Sequence, residues 1–440
     1  MAQLNLPATG NRLLTTYRYM RDPYGTCDRW LKKYGKTFVV RAMNGDVVVT
    51  CRSENIRQIF AANHDSVGVF ALETLRPLLG GQSVFLAEGQ QHRLERALLL
   101  PGFHGERIQQ AVGTIESVAR KTMSGWQQGD NLRMMDVCHE ISLEVILKIV
   151  FGIQSENRIL ECKKVITEFI GSFSPWLAFS RWMQRPWFGL GPWNRFLRAR
   201  KRFDELVHAE IHARQKSGGS EADLLTSLLE ARYEDGSTIS NAGIRDQLVT
   251  LLVAGHETTQ IAMSWAMSWI VRNPAVLDSL CSELAGQESL EQVAQKSKLL
   301  NGICQEALRL NPVIPDVQRT LKSPMEFEEC VIPAGATVAA ATYLVHVDGE
   351  VYPEPLEFRP ERWLERTYKP FEYMPFGGGI RRCIGASLAM TEMKIVLAAL
   401  IRHGRFELPH DAPASEIVHR RNFTVAPGSG IPLVYLGPRS

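Results

Sequence analysis

β-branched and aromatic residues dominate residues 36–42 and 46–51, and an Asn-Gly pair lies between the two runs. Such a pair between strand-forming runs is typical of a tight turn, so we expect a β-hairpin near the start of the chain. From residue 53 to residue 310 apolar residues instead recur every three or four positions, as in residues 134–151. This spacing puts them on one face of a helix, so the long middle part of the chain is predicted to be helical.

The longest helix is predicted to begin after Ser240, which can cap it, and to run unbroken to Asn273, where Pro274 follows. About 33 residues at roughly 1.5 Å per residue give a length of about 50 Å. Residues 248–271 are apolar enough to suggest a membrane span, but residues 256–260 near its centre are polar or charged. That placement favours a helix buried in protein over one buried in lipid.

After residue 312 the chain becomes rich in proline and glycine, with short strand-forming runs. A last helix is predicted over residues 386–403, and a hairpin over residues 423–436 with its turn at Pro427-Gly428. No repeat and no long polar linker is apparent, so we expect a single, mainly α domain over residues 1–440. Its parts are a β-rich N-terminal portion (about 30–60), a helical body (about 61–311) and a mixed portion (about 312–440).

Composition and charge agree with a folded globular protein. Of 440 residues 45% are hydrophobic and 22% are charged, and 50 basic against 47 acidic residues leave a net charge of +3. That balance gives no reason to expect nucleic acid as a partner, and the basic run at residues 195–202 is better explained as a solvated helix face. The first residues show neither a signal peptide nor a membrane anchor, so we expect a cytoplasmic protein.

Eight cysteines are scattered along the chain without a CxxC or CxxCH pair, which excludes a zinc ribbon and a c-type haem attachment. Their low density favours reduced thiols over a disulfide scaffold. Cys383 stands apart, because it lies where a glycine-rich loop, residues 376–385, meets the start of a helix. Backbone N–H groups and the positive end of a helix dipole lower the pKa of a thiol there. An ordinary buried thiol is the alternative.

The loop fits the pattern F-x-x-G-x-R-x-C-x-G at every fixed position, through Phe376, Gly379, Arg381, Cys383 and Gly385. A chance match somewhere in a chain of this composition is on the order of 1 in 6,000. The pattern resembles the haem-ligand loop of the cytochrome P450 superfamily. The resemblance implies that Cys383 is the axial ligand of the haem iron, and that Phe376, Arg381 and Gly385 contact the cofactor.

Residues 254–259, Ala-Gly-His-Glu-Thr-Thr in the long helix, resemble the segment of that family that crosses the oxygen side of the haem. The resemblance implies that Glu257 and Thr258 deliver protons to the distal oxygen. Taken alone, Thr258 is a mid-helix threonine that bonds back to the carbonyl of Ala254, and both descriptions can hold together. His256 is expected to be a packed or surface histidine, because the iron already has its cysteine.

Glu306 and Arg309 resemble the E-x-x-R helix of the family, and residues 358–363 with Arg362 resemble the loop that follows it. The E-x-x-R pattern alone also occurs elsewhere in the chain. This match therefore depends on the order of the motifs along the chain and on the sequence around residues 306–309. The resemblance implies a buried network of the three charged side chains, which supports the haem-side core. The alternative for Glu306 and Arg309 is an exposed ion pair three residues apart on a helix. As a whole, the resemblance extends from about residue 30 to the end.

Four basic side chains are expected to hold the two haem carboxylates. His92 and Arg96, four residues apart on one helical face, resemble the pair that does so in the family, where many relatives carry tryptophan at the His92 position. Arg319 and Arg381 can join them, because a guanidinium binds a carboxylate with two hydrogen bonds. The alternative for both arginines is a solvated surface position.

The resemblance implies a mainly α cytochrome P450 fold with small β-sheets, and haem b (iron protoporphyrin IX) between the long helix and the cysteine loop. It implies a monooxygenase that inserts one oxygen atom of O2 into a hydrophobic small molecule, such as a fatty acid, terpenoid, steroid or polyketide. Electrons are expected from a ferredoxin or flavodoxin with its reductase, because no flavin or nicotinamide domain is recognised in the chain. The protein is expected to be a monomer.

Substrate contacts are expected at family positions on the long helix, in the loop after the E-x-x-R helix, in residues 66–85 and near the C-terminus. They are Ala254, Gly255, Val313, Val317 and Thr424. Four tryptophans, Trp176, Trp182, Trp187 and Trp193, cluster where the family has the lid over its substrate channel, with plain core packing as the alternative. Either arrangement suits a large apolar ligand better than a polar one.

Two other functions stay open from the sequence. The same fold can host oxygen-independent or peroxide-driven enzymes, which commonly lack an acid–alcohol pair, so Glu257 and Thr258 argue against them. The second is a haem-binding sensor without turnover, which would consume no NADPH when substrate and surrogate redox proteins are supplied.

Overall fold

The computed structural model describes residues 4–70, 72–103, 105–173, 177, 183–185, 191–217, 223–421 and 423–439. In chain order the helices are α1 (Arg12–Arg21), α2 (Pro23–Tyr34), α3 (Ser53–Ala61), α4 (Leu72–Leu79), α5 (Gly89–Leu99), α6 (Glu106–Met123), α7 (Met134–Ile149), α8 (Glu156–Ser172), α9 (Pro192–Ser217), α10 (Leu224–Glu230), α11 (Asn241–Arg272), α12 (Pro274–Ala285), α13 (Leu290–Lys296), α14 (Lys298–Leu310), α15 (Thr342–His346), α16 (Arg362–Glu365) and α17 (Ala386–His403). The strands are β1 (Thr37–Ala42), β2 (Gly45–Thr50), β3 (Val67–Gly68), β4 (Asn131–Arg133), β5 (Val317–Leu321), β6 (Met325–Glu326), β7 (Val331–Ile332), β8 (Thr337–Ala340), β9 (Gly404–Glu407), β10 (Val418–Arg421), β11 (Thr424–Pro427) and β12 (Pro432–Pro438). Short 3-10 turns lie at Leu100–Phe103 and Gly379–Arg381.

The chain divides into two compact units. The first comprises Met1–Gly68, Ile115–Ile141 and Thr258–Ser440, and the second comprises Val69–Thr114 and Ser142–Glu257. Helices α6, α7 and α11 contribute residues to both units. The single domain expected for residues 1–440 stays a prediction.

A five-stranded sheet in the order β1-β2-β8-β5-β3 organises the first unit. β1 and β2 form the antiparallel hairpin that the Asn-Gly pair predicts, with Ala42 opposite Gly45 at the turn. Gly45 has φ 128°, which a residue with a Cβ rarely adopts, so glycine permits this turn. β8 pairs in parallel with β2 and antiparallel with β5. Phe38, Val48 and Val338 are fully buried in the core that packs on this sheet.

The C-terminal strands pair differently from the sequence prediction, and the expected hairpin with its turn at Pro427-Gly428 is wrong. β10 and β11 form the hairpin instead, with Arg421 opposite Thr424. The Gly428 N–H donates to the Ile417 carbonyl at 2.7 Å, which keeps the chain beyond Pro427 beside β10. β12 then pairs antiparallel with β4 and β9, which come from distant parts of the sequence. Local turn residues carry no information about such long-range pairing.

The two helices predicted around the candidate site are confirmed. Ser240 Oγ accepts the Gly243 N–H at 3.0 Å at the start of α11, and α11 ends one residue before Asn273. α17 coincides with the helix predicted over residues 386–403. Within the described parts of the chain, no helix combines the length and the apolar character needed to cross a bilayer.

In the second unit, α8 and α9 pack through the stacked rings of Phe169 and Phe203, whose centroids are 4.5 Å apart. Arg245 at the start of α11 donates from Nε to Asp204 of α9 at 2.7 Å. The basic run of residues 195–202 lies on α9, where Arg202 bonds Glu168 of α8 at 3.0 Å. These contacts hold the first half of α11 beside α9.

Candidate active site

The cysteine loop lies directly against helix α3. Gly377 and Gly379 both have φ 65°, in the left-handed region that favours glycine. A Cβ on Gly378 would overlap the Phe60 ring, and a Cβ on Gly379 would overlap the Phe60 carbonyl. Glycine is therefore required at both positions for the loop to pass this close to α3.

Cys383 lies at the end of this loop, three residues before α17 begins. Its N–H donates to the Phe376 carbonyl at 2.9 Å, and the Arg382 N–H donates to the Gly379 carbonyl at 3.1 Å. Gly385 follows as the N-cap residue of α17. Backbone hydrogen bonds thus close the loop, while the Cys383 side chain is exposed.

The other seven cysteines have different surroundings. Burial raises the pKa of each of their thiols, so these side chains stay protonated at neutral pH. The pKa rises to about 12 for four of them, Cys51, Cys138, Cys162 and Cys304. Cys383, by contrast, is exposed to solvent, so among the eight described cysteines it is the one best placed to bind a metal centre.

Arg319 lies on β5, in the same unit as the loop, and is only 8% exposed. Its Nη1 donates to the Gln318 carbonyl at 2.8 Å, and no carboxylate among the described residues forms an ion pair with it. Burial and the neighbouring Arg381 guanidinium lower the pKa of Arg319 to about 10, so it is still cationic at neutral pH. A buried cation beside a second cation is costly without an anion, so this place fits an anionic ligand.

Glu306 is the centre of a buried polar network in the first unit. Its Oε1 accepts from Arg309 Nη2 at 2.8 Å and from Arg362 Nε at 2.9 Å, and its Oε2 accepts from Arg309 Nε at 2.9 Å. Trp363 Nε1 donates to Oε2 at 3.0 Å, and the Arg359 backbone N–H donates to Oε1 at 3.0 Å. Glu306 and Arg309 are both 0% exposed, so the alternative of an exposed ion pair is wrong for them.

Arg309 also ties α14 to the segment that precedes the cysteine loop. Its Nη1 donates to the carbonyls of His346 and Pro355, both at 2.6 Å, and its Nη2 donates to the Glu357 carbonyl at 3.1 Å. Its guanidinium lies over the Tyr352 ring, 4.8 Å from the ring centroid. Each polar atom of this guanidinium therefore has an acceptor, and the network is closed.

His346, at the end of α15, is a site residue that no sequence pattern identifies. It is fully buried; its Nδ1 lies 3.2 Å from the Arg309 carbonyl, and its Nε2 accepts the Met374 N–H at 2.9 Å. Burial and the nearby Arg309 cation lower the pKa of His346 to about 3, so the ring is neutral. A single histidine after an apolar run has no distinguishing pattern, so nothing in the sequence marks this position.

The residues predicted to face oxygen lie in the middle of α11. Ala254 is exposed, Gly255, Glu257 and Thr258 are half-buried, and His256 is buried, which agrees with a packed histidine. Gly255 packs closely, because a Cβ there would come within 2.8 Å of Ile146 Cδ1 in the same unit. The boundary between the two units falls between Glu257 and Thr258.

His92 and Arg96 lie one turn apart on α5, in the second unit, with His92 buried and Arg96 half-buried. Between them Glu95 is buried, and it accepts hydrogen bonds from the Tyr233 hydroxyl at 2.7 Å and from Gln247 Nε2 at 2.9 Å. Burial raises the pKa of Glu95. Gln247 belongs to α11, so Glu95 fixes the helix that carries His92 and Arg96 to the first half of α11.

Two of the predicted substrate segments are joined in the first unit. Val313 is buried, and its carbonyl accepts the Val425 N–H at 2.9 Å, next to Thr424. Val317 lies against Gly377 of the cysteine loop. Ala254 and Gly255 belong to the second unit. Of the four clustered tryptophans, Trp193 lies in the first turn of α9, whereas Trp176, Trp182 and Trp187 lie outside the described residues.

The chain matches the sequence profile of the family described as Cytochrome P450 over residues 2–433. It is 33% identical over 415 residues to cytochrome P450 135B1 of Mycobacterium tuberculosis, which covers 91% of this chain and 84% of that protein. It is 32% identical over 407 residues to cytochrome P450 138 of the same organism, with 91% and 89% covered. The solved structure of a cyanobacterial protein, CYP120A1 with retinoic acid bound, matches the fold with a TM-score of 0.86 at 23% identity, over 99% of both chains.

The fold and this match define a haem-dependent oxidoreductase, and the mainly α fold predicted from the sequence is confirmed. The chain belongs to the cytochrome P450 family. It is accordingly a monooxygenase, with haem as cofactor, O2 as co-substrate and a redox partner as its source of electrons.

The residues of the first unit fit this cofactor. An exposed thiol on a loop closed by backbone hydrogen bonds can supply a sulfur ligand to iron. Arg319 is buried beside Arg381 and pairs with no carboxylate in the described part of the chain, so it suits the carboxylate groups of a haem. Both features are explained by one anionic, iron-containing ligand.

Proposed function

We propose that this cytochrome P450 oxidises an apolar small molecule of the fatty acid, terpenoid, steroid or polyketide kind, with electrons from a ferredoxin or flavodoxin and its reductase. The buried valines support an apolar substrate, because Val313 and Val425 join two of the expected substrate segments. Ala254 on α11 is exposed, so its methyl group can contact an apolar ligand.

The proposal includes haem b as the cofactor and a monomer of one domain in the cytoplasm. Burial keeps the thiols of seven cysteines protonated and unpaired. Free thiols are typical of a reducing compartment, where disulfides are rare, so they support this location.

The observation that supports the cofactor part is that Arg319 is buried and forms no ion pair with any carboxylate of the described residues. In this proposal Arg319 and Arg381, with His92 and Arg96, bind the haem carboxylates, and Cys383 binds the iron through its sulfur. Phe376, whose carbonyl accepts the Cys383 N–H, and Gly385, the N-cap residue of α17, are proposed to contact the cofactor. Haem bound in this way supplies an iron centre that activates O2, with the thiolate favouring cleavage of the O–O bond.

Glu257 and Thr258 are proposed to deliver protons. Both side chains are half-buried on α11, so water can still reach them and exchange protons with them. The overall reaction consumes two electrons and two protons per O2, and yields one water and one oxidised substrate molecule. The role of the pair is to hold a proton within reach of the oxygen atom that leaves as water.

A substrate screen with the haem-loaded protein tests the substrate class. Compounds that displace water from the iron shift the haem spectrum from low spin to high spin, and we expect this shift from apolar lipid-like or natural-product molecules. Retinoic acid, which CYP120A1 binds, belongs in the panel beside fatty acids, terpenoids and steroids. A response confined to polar compounds would contradict the proposal.

The proton-delivery role is tested by Thr258→Ala, with Thr259→Ala as the matched control one position along the helix. With a surrogate ferredoxin, its reductase and a binding compound, Thr258→Ala should consume NADPH but release more hydrogen peroxide and less product. The control should couple NADPH to product as the unaltered protein does. Fully coupled turnover by Thr258→Ala would remove Thr258 from the mechanism, and product formed without O2 or NADPH would place the protein among the oxygen-independent or peroxide-driven enzymes.

A further inference from the structure

His346 makes two hydrogen bonds that connect otherwise separate parts of the first unit. The Met374 N–H can only donate, so His346 Nε2, 2.9 Å away, must be the unprotonated ring nitrogen. Nδ1 therefore carries the proton and donates to the Arg309 carbonyl at 3.2 Å. This fixes the tautomer of the ring from the donor and acceptor types alone.

The first of these bonds joins His346 to the closed network around Glu306. Arg309 and His346 bond each other twice, because Arg309 Nη1 donates to the His346 carbonyl at 2.6 Å while the His346 ring donates to the Arg309 carbonyl. The ring also stacks on Tyr373, with centroids 5.4 Å apart. With no exposed surface and partners on three sides, the ring has one available position.

The second bond leads into the cysteine loop. Met374 is buried, its N–H is held by His346, and its carbonyl accepts the Gly377 N–H at 3.0 Å. Gly377 is the first of the left-handed glycines, and the Phe376 carbonyl beside it accepts the Cys383 N–H at 2.9 Å. Both backbone groups of Met374 are thereby fixed at the point where the loop begins.

We infer that His346 is a positioning residue for the cysteine loop. Its ring holds the Met374 backbone at a fixed place relative to the Arg309 network, and the backbone hydrogen bonds that follow Met374 hold Cys383 in turn. The inference rests on the proposed ligand role of Cys383 and adds the path by which the buried network acts on it. A ring that served only to fill space would not need the donor and the acceptor that His346 uses.

The test compares four haem-loaded full-length proteins: the unaltered chain, His346→Phe, His346→Gln and Trp363→Phe. His346→Phe keeps an aromatic ring beside Tyr373 but removes both hydrogen bonds. His346→Gln keeps an amide oxygen that can accept the Met374 N–H. Trp363→Phe is the matched control, because it removes one hydrogen bond to Glu306, keeps an aromatic ring beside Tyr373 and removes neither hydrogen bond of the His346 ring.

Two readouts are taken from each protein. Amide hydrogen exchange at Met374 should be about tenfold faster in His346→Phe, as expected when one buried hydrogen bond is lost, and near the unaltered rate in Trp363→Phe. The reduced carbon monoxide complex should lose most of its thiolate-type Soret band in His346→Phe, keep it in Trp363→Phe and regain part of it in His346→Gln.

A His346→Phe protein with unaltered exchange at Met374 and a full thiolate-type band would overturn the inference, since packing alone would then suffice. Equal loss of the band in His346→Phe and Trp363→Phe would also overturn it, since general destabilisation would then explain both. Failure of the proposed function is recognised separately, because an unaltered protein without a thiolate-type band refutes the ligand role of Cys383, whereas the exchange rates at Met374 still test the link.

Discussion

Two arginines of the first unit, Arg309 and Arg319, are both buried, yet their surroundings are opposite. Arg309 is 0% exposed and is neutralised by Glu306, with backbone carbonyls accepting its remaining N–H groups. Arg319 is 8% exposed, has one hydrogen bond to the Gln318 carbonyl, and faces the Arg381 cation with no carboxylate among the described residues.

This difference separates a structural site from a ligand site. A buried ion pair whose donors and acceptors are all satisfied keeps a fold in one arrangement, and breaking it is costly. A buried cation without a counter-ion weakens the protein by itself and becomes favourable when an anion binds. The first describes the Glu306 network, and the second describes the place proposed for the haem carboxylates.

The largest effect is expected from Glu306→Gln, which leaves Arg309 and Arg362 buried without their carboxylate. The free energy of unfolding should fall by about 3–5 kcal/mol, because uncompensated buried charges are costly. Chemical denaturation followed by circular dichroism measures this. A loss below about 1 kcal/mol would mean that the network is not the structural site described above.

Arg319→Gln removes the buried positive charge of the other arginine site. We expect it to stabilise the haem-free protein and to weaken haem binding. Without haem, the free energy of unfolding should rise by about 1 kcal/mol, because a buried cation beside Arg381 is removed. With haem, the rate of haem transfer to an acceptor such as apomyoglobin should rise roughly tenfold or more. Unchanged haem transfer would place the carboxylates elsewhere and remove the contrast between Arg309 and Arg319.

Gly379→Ala tests whether the loop must lie against α3. The added Cβ would meet the Phe60 carbonyl, and φ 65° is unfavourable for alanine, so we expect a loss of about 1–3 kcal/mol. Gly385→Ala in the same loop is the control, and both variants are compared without haem, since Gly385 has φ −89° and no atom of the described residues lies within 4 Å of the added Cβ. Equal thermal unfolding of the two variants would contradict the close approach of loop and helix.

The smallest predicted effect is a pH dependence of stability from His346. Its pKa is lowered to about 3 in the folded protein by burial and by Arg309, and is about 6.5 in an unfolded chain. As the pH falls below about 6.5, the unfolded state binds a proton that the folded state excludes, so stability is lost. From about pH 6.5 to about pH 5.5 this costs roughly 1 kcal/mol.

The measurement follows the difference in the free energy of unfolding between the unaltered protein and His346→Gln, which does not titrate. From about pH 6.5 to about pH 5.5 the unaltered protein should lose roughly 1 kcal/mol of stability relative to His346→Gln. A constant difference would show that His346 binds protons equally in both states.

The sequence predicts those parts of the molecule that local patterns encode. The hairpin of β1 and β2, the capped start of α11 and the bounds of α17 follow from turn residues, caps and apolar spacing. The Glu306 network and the cysteine loop could be predicted because short motifs hold their residues at fixed spacing.

What the sequence could not predict depends on contacts between distant segments. β12 pairs with β4 and β9, which lie far away in the chain, so turn residues at Pro427 were misleading. The sequence leaves a surface position open for Arg319, because only tertiary packing buries it away from the carboxylates that the structure describes. His346 has no motif of its own, and its link to Met374 exists only once α15 and the cysteine loop meet.

The central claim is that Cys383 binds the haem iron through its sulfur, and Cys383→Ala tests it most directly. Cys304→Ala is the control, because Cys304 is buried and its thiol, with a pKa raised to about 12, stays protonated. The spectrum of the reduced carbon monoxide complex is recorded for the unaltered protein and both variants. We predict that the thiolate-type Soret band is present in the unaltered protein and in Cys304→Ala, and absent in Cys383→Ala. A Cys383→Ala protein that keeps this band would contradict the account.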